Sequence, residues 1–183
     1  MVREKFIVKL DNIIAAIMGI TIFFCLTKCQ IPYRIIPGTD FQIRQVFLSI
    51  IAAMYGPVTG GVVGLFGHLL SDALYYENIS YGWIAADCIY GILIGYFFDD
   101  YKVLLGQFKK IEIFRFNMIQ LIANAICWLI VAPFIDMTLF DEPVDKVVAQ
   151  GFFAFISNFV LIFIIGTLVL LLISFCVNKK IEK

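Results

Sequence analysis

The sequence predicts an all-α membrane protein: a compact bundle of six transmembrane helices, with both termini on one side and a polar pocket facing the other. Three observations carry that expectation. Of 183 residues, 62% are hydrophobic and only 15% charged, whereas a soluble domain is about 45–50% apolar and about 25% charged. Four apolar segments, residues 11–28, 82–98, 114–135 and 148–176, reach the roughly 17–25 residues that cross a hydrocarbon core about 30 Å thick. Finally, the lysines and arginines sort to one side once a further apolar run, residues 42–76, is divided in two.

The first segment follows a basic, amphipathic MVREKFIVKLDN. The KCQIPYR after it lacks the small residues of a signal-peptide cleavage site, so 11–28 is read as a membrane helix. The run 42–76 would be about 52 Å long as one helix, too long for a single span. Within it, YGPVTGG at 55–61 supplies chain-reversal chemistry through Gly56, Pro57, Gly60 and Gly61, which predicts helices over 42–55 and 58–76. Six spans then put the 55–61 turn, the 99–115 loop and both termini together. That side carries Arg3, Lys5, Lys9, Lys102, Lys109, Lys110, Arg115, Lys179, Lys180 and Lys183, against Lys28, Arg34, Arg44 and Lys146 opposite. Basic residues collect on the cytoplasmic side, so both ends are expected there, in a single domain over 1–183. Five spans would weaken the bias.

With that orientation, the intramembrane polar residues fall at similar depth. His68 and Asp72 stand four apart in FGHLLSDALYY (66–76), Asp87 is about one turn into the next helix, and Asn124 and Trp128 lie in the fifth. Gln150, Ser157 and Asn158 occupy the outer half of the sixth, while the cytoplasmic halves read as nearly pure apolar residues. An ionisable group at mid-membrane costs about 2.5–3.5 kcal/mol on insertion scales, so such groups face a bundle interior or a wet cavity. With Trp83, Tyr75, Tyr76 and Tyr81 at the same level, the set suits a small, flat heteroaromatic solute. Blander readings stand beside it: His68 and Asp72 satisfying one another across a turn, the asparagines as interhelical glue, the tyrosines as an interfacial belt.

The connection CQIPYRIIPGTDFQIR (29–44) has the length of a lid, and its Arg34 or Arg44 would cap an anionic or carbonyl-rich ligand or pair with Asp40. The acidic DMTLFDEPVDK (136–146) reads as a solvated loop. On the first helix Ala15 and Gly19 form a small-xxx-small pair that Ala16 broadens, either an internal seam or a docking face.

Several function classes are excluded or weakened. No GxxxxGK[ST], HExxH or GxSxG occurs, and there is one histidine. A hydrolase on His68 would need a nucleophile aimed at it, yet neighbouring residues on one helix point apart. One imidazole with Asp72 and Asp87 is a thin metal-ligand set, so no metal and no cofactor are expected. The five cysteines contain no CxxC and read as small hydrophobes. A net charge of zero gives no sign of a nucleic-acid partner.

The block AAMYGPVTGGVVGLFGHLLSDALYYENISYGWIAADCIYGILIG (52–95) carries Gly56, Pro57, Gly60, Gly64, Gly67, His68, Asp72, Trp83, Gly91 and Gly95 at the spacing GPxxGxxxGxxGHxLxD plus a Trp-containing helix with GxxxG. QGFFAFISNFVLIFIIGTLVL (150–170) adds Gln150, Gly151, Ser157, Asn158, Gly166 and Thr167. In these features the chain resembles the substrate-binding S components of energy-coupling factor (ECF) transporters, nearest the group called ECF-type riboflavin transporter S components. The resemblance implies a non-enzymatic, six-helix subunit of a bacterial plasma membrane that binds a water-soluble vitamin near the outer face. It also implies docking, through a small-residue face of the first helix matched by Ala15, Ala16 and Gly19, onto a transmembrane coupling subunit joined to two cytoplasmic ATPases. Riboflavin is the first expectation for the cargo; a hydroxymethylpyrimidine- or pyridoxine-like vitamin or cobalamin is the second. A membrane enzyme using His68 and Asp72 is the reading from another class. The site residues expected from both lines are His68, Asp72, Trp83, Asp87, Asn124, Trp128, Gln150, Asn158, Arg34 and Arg44.

Overall fold

A computed structural model describes residues 6–29, 31–32 and 40–182. Arg34 lies outside them. Helix α1 (Leu10–Leu26) ends in a 3-10 turn, Thr27–Cys29, and short strands β1 (Ile31–Pro32) and β2 (Asp40–Phe41) pair antiparallel, Ile31 opposite Phe41. Helices α2 (Ile43–Tyr75) and α3 (Tyr81–Tyr96) follow, then a short α4 (Phe98–Tyr101) and a 3-10 turn at Val103–Leu105. Helix α5 (Lys110–Ile126) runs through a π-helical turn, Cys127–Val131, into α6 (Ala132–Leu139). Helix α7 (Val144–Leu161) likewise passes through Ile162–Gly166 into α8 (Thr167–Ile181). Four helical stretches are long and apolar enough to cross a membrane: Leu10–Cys29, Ile43–Tyr75, Lys110–Leu139 and Val144–Ile181. The molecule is an all-α, multi-pass membrane protein.

The helix over residues 43–75 is not straight. Arg44 Nη2 lies 3.3 Å from His68 Nε2, although a straight helix would hold residues that far apart in sequence about 36 Å from one another. The chain folds back at Gly56, whose φ of 88° and ψ of −177° interrupt the helix. Positive φ is open to glycine, and Pro57, which has no N–H to lose, starts the returning limb. The break is thus a single residue, narrower than the seven-residue turn expected from YGPVTGG. The carbonyl of Tyr55, freed by the break, accepts a 2.7 Å hydrogen bond from Asn12 Nδ2 on α1.

The returning limb packs backbone to backbone on α3. A Cβ on Gly60 would strike the Gly91 carbonyl, one on Gly64 the Asp87 carbonyl, and one on Gly95 the Gly56 peptide. Small residues at four-residue intervals let two helices approach this closely where lipid supplies no hydrophobic drive. The ladder also fixes register. With Asp87 beside Gly64, the next turn brings His68 to it.

On α1 the buried residues are Ala15, Gly19 and Phe23, and Thr27 in the 3-10 turn continues their four-residue spacing against α2. A Cβ on Gly19 would stand 2.6 Å from Val63 Cγ2, and one on Gly67 would stand 2.8 Å from the Phe23 ring. Ala15 and Gly19 therefore form an internal seam, which corrects their assignment to a docking face. Ala16 is half-buried at the seam's edge, and the open face of α1 consists of bulkier residues, Ile13, Ile14, Ile17 and Met18.

Polarity is not confined to one end, contrary to the expectation. At the far end from the α2–α3 loop, buried Asn117 donates Nδ2 to Thr167 Oγ1 at 3.0 Å, and buried Ser174 accepts the Phe108 N–H at 3.0 Å. These bonds clamp the helix entering at Lys110 to α8.

Candidate binding site

At the end of the bundle where α2 meets α3, a cavity of about 980 Å³ is lined by α2, α3, α6, α7 and the segments joining them. Its floor begins with Arg44, in the first turn of α2 and 4% exposed. Arg44 donates to Gln42 Oε1 (3.1 and 3.2 Å) and to Thr27 Oγ1 (3.3 Å), and stacks over the Phe23 ring at 5.1 Å. It is therefore a helix residue lining the cavity and braced by Gln42, Thr27 and Phe23, with no ion pair to Asp40 among the described residues.

His68 sits between two carboxylates. Its Nδ1 is 2.7 Å from Asp87 Oδ2, a close contact rather than an aligned hydrogen bond, and its Nε2 is 3.3 Å from Asp72 Oδ1. Asp72 accepts the Ser80 N–H at 2.8 Å, pinning the α2–α3 loop. Asp87 is fully buried beneath the histidine and accepts a 2.6 Å hydrogen bond from Gln45 Nε2. The i,i+4 pair is thus real, but it is one edge of a larger network that binds both limbs of α2 to α3. The set is close-packed but not fully hydrogen-bonded: His68 Nδ1, Asp87 Oδ2 and Gln45 Oε1 have no aligned partner among the described residues.

The aromatic wall is layered. Trp83 lines the cavity and donates Nε1 to Asp136 Oδ2 at 2.8 Å. Behind it Trp128 stacks at 5.6 Å and 22°, and donates to Asn124 Oδ1, whose amide donates on to Gln120. Trp128 and Asn124 consequently support the wall instead of lining it, and the π-helical turn Cys127–Val131 is where Trp128 projects. Gln150 and Asn158 on α7 line the opposite side. Asn158 is 2% exposed, and its Oδ1 has no hydrogen-bond partner among the described residues.

Of the expected residues, the structure brings Arg44, His68, Asp72, Trp83, Gln150 and Asn158 to the cavity, and sets Asp87, Asn124 and Trp128 directly behind it. Sequence reasoning missed Gln45, and Ser49 with its 2.9 Å partner Tyr90. The three-to-four-residue spacing of Gln42, Gln45 and Ser49 was the available signal. It also missed Asp136, which carries Trp83 and so corrects the reading of 136–146 as solvent-facing only.

Catalytic chemistry finds little to work with. Ser71 Oγ donates to the Gly67 carbonyl (2.7 Å) and meets Thr27 Oγ1 at 2.8 Å, toward α1 and away from His68. Among the described residues no group of three or more His, Cys, Asp or Glu side chains is placed to hold a metal ion.

The profile of a family described as ECF-type riboflavin transporter, S component matches residues 8–174. Among curated relatives, a UPF0397 protein of Clostridium perfringens is 35% identical over 183 residues, covering 100% of this chain and 96% of that protein. A UPF0397 protein of Enterococcus faecalis is 35% identical over 168 residues (92% of this chain, 91% of that one), and one of Lactobacillus johnsonii 36% identical over 162 residues (88% of each). No solved structure matches the chain.

Proposed function

We propose, from the premise that this chain belongs to the ECF-type riboflavin transporter S component family, that it captures a vitamin-type heteroaromatic at the cavity and hands it inward. As a member, it is a transport subunit rather than an enzyme, and works in a membrane complex with coupling and ATPase subunits. The reading has six spans: α1, the two limbs of α2, α3, α5 with α6, and α7 with α8. Both termini are cytoplasmic and the cavity opens outward. The single observation that carries it is the cavity itself. Buried polar side chains from α2 and α7 converge on one space with an aromatic wall from α3, and 980 Å³ is at the upper end of what small-molecule sites occupy, about 300–1,000 Å³.

The count of six is supported by the reversal at Gly56, which turns 33 residues of helix into two limbs. At 16 residues α3 is short for a span, but its cavity-side face packs on the α2 limb through bare backbone, so little of it needs lipid cover. Riboflavin, the compound in the family's description, is the first cargo to try. Mass spectrometry of what travels with the detergent-purified chain tests the reading. A stoichiometric vitamin is the expected result. Chemical turnover of a small molecule by the chain alone, without ATPase partners, would overturn it in favour of an enzyme on His68 and Asp72.

A further inference from the structure

The end of the bundle away from the cargo cavity has a second recess, of about 850 Å³, between the start of α5 and α8. We infer that it holds an anionic phospholipid of the cytoplasmic leaflet, with the phosphate on Lys109 and Lys110 and the acyl chains along Ile111 and Leu171. The choice of leaflet rests on the proposed orientation; the lipid chemistry does not.

Charge selects the headgroup. Three lysines border the recess, Lys102, Lys109 and Lys110, against one carboxylate, Glu112. Glu112 is 4% exposed and engaged through both oxygens: Lys102 Nζ stands 3.2 Å from Oε1, and the Lys109 N–H donates to Oε2 at 3.3 Å. Lys102 and Glu112 thus offset one another. Lys109 and Lys110 are exposed and make no ion pair among the described residues, so two positive charges on consecutive residues stay uncompensated. A phosphate is the anion that lysine ammonium groups take as point charges. Other basic side chains at this end have no such setting: Lys179 Nζ lies over the Phe175 ring at 4.6 Å, and Arg115, Lys179 and Lys180 do not line the recess.

Apolar surface selects the rest of the ligand. The same recess is lined by Ile111, Ile113 and, from α8, Leu171, and Ile111 is 54% exposed. Lys110 opens the stretch Lys110–Leu139, which is long and apolar enough to cross a membrane. The lysines therefore stand at the water boundary, and the aliphatic lining leads from them into the hydrocarbon. A soluble anion would use only the first part of this surface; a phospholipid matches both. The walls are held in place, since the Phe108 N–H on Ser174 Oγ and Asn117 on Thr167 tie the entrance of α5 to α8. Anionic headgroups of the cytoplasmic leaflet attract juxtamembrane lysines, each worth about 5-fold in affinity.

Native mass spectrometry of the full chain, titrated in detergent with phosphatidylglycerol or phosphatidylcholine of matched acyl chains, tests this. Phosphatidylglycerol should be retained about 10-fold more strongly. The variant carrying Lys109→Gln and Lys110→Gln should lose that preference to within about 2-fold, with the thermal midpoint in phosphatidylcholine unchanged, because both side chains are exposed. Lys179→Gln with Lys180→Gln should keep it. Equal loss from the two double variants would overturn the recess in favour of a diffuse field. Glycerol 3-phosphate displacing the lipid at equal concentration would overturn the acyl-chain part. If the parent shows no preference, the lipid assignment falls and an acidic segment of a partner subunit becomes the occupant. In cells, Lys110→Cys should react with a membrane-impermeant maleimide, above the labelling of the parent chain, only after permeabilisation. Reaction in intact cells would overturn the leaflet together with the proposed orientation, whereas failure of lipid binding in detergent leaves vitamin capture at the other end untouched.

Discussion

The α2 hairpin and the long C-terminal helix of α7 and α8 are both apolar enough to span a membrane, and they do opposite work. In the hairpin 67% of the best membrane-spanning stretch is buried inside the protein; in the C-terminal helix the figure is 22%. The hairpin's composition is mixed, with five glycines, a proline and Arg44, Gln45, His68 and Asp72 among its residues. The C-terminal helix presents Phe163, Ile164, Leu168, Leu172 and Phe175 outward. Lipid accepts any bulky hydrocarbon surface, so that helix is constrained mainly by composition. A helix that must lie against two others is constrained residue by residue, because backbone-to-backbone contact replaces the hydrophobic effect as the source of attraction. The more membrane-like a segment reads, the less of the architecture it decides here.

The largest break in this contrast should come from Gly60→Leu. The added side chain would meet the Gly91 carbonyl and Ala52, neither of which can swing aside. We expect loss of monodisperse folded protein, read by fluorescence-detected size exclusion, and the same from Gly91→Leu. Next is Asp87→Ala, which takes the acceptor from Gln45 and the neighbouring carboxylate from His68. Removing one partner of a buried pair costs about 3–5 kcal/mol, so a large drop in thermal midpoint is expected, together with loss of ligand binding. An Asp87→Ala protein as stable as the parent would mean that the carboxylate is not the fixed centre of the floor.

How much of this was legible beforehand follows the same division. Composition announced the bilayer, and Gly56–Pro57 announced a reversal, because both are local properties of the chain. The pair His68 and Asp72 was visible as two expensive groups one turn apart. What stayed hidden is relational. That Trp128 sits behind Trp83, that Asp136 holds Trp83 from an apparently solvated loop, and that Gln45 serves Asp87 all depend on which helix faces which. Ala15 and Gly19 show the limit most clearly. A small-xxx-small pair says that something comes close, and nothing in the motif says whether the neighbour is another protein or the chain's own Val63.

That ambiguity gives a sharper, smaller test. Gly19→Leu should destabilise the chain by about 1–3 kcal/mol through overpacking against Val63. Because the obstacle is a flexible side chain and not backbone, Val63→Ala introduced alongside should restore much of the loss. The rescue distinguishes an internal seam from a docking face: if Gly19 met only a partner subunit, the single variant would keep full stability in isolation and Val63 would be irrelevant to it.

The smallest effect is expected from Leu172→Ala on the C-terminal helix. Leu172 is 63% exposed, so truncating it opens no internal cavity and lipid chains can take up the vacated volume. A surface change of this kind lies within about 0.5 kcal/mol, and ligand affinity should not move at all. Phe23→Ala is the matched control from the other regime, since Phe23 is fully buried between α1 and α2 and supports the Arg44 guanidinium; truncating it should cost about 3–5 kcal/mol. Were Leu172→Ala to destabilise as much as Phe23→Ala, the outward face of α8 would have to be packed against protein, and the division between a lipid-tolerant helix and a sequence-locked hairpin would fail.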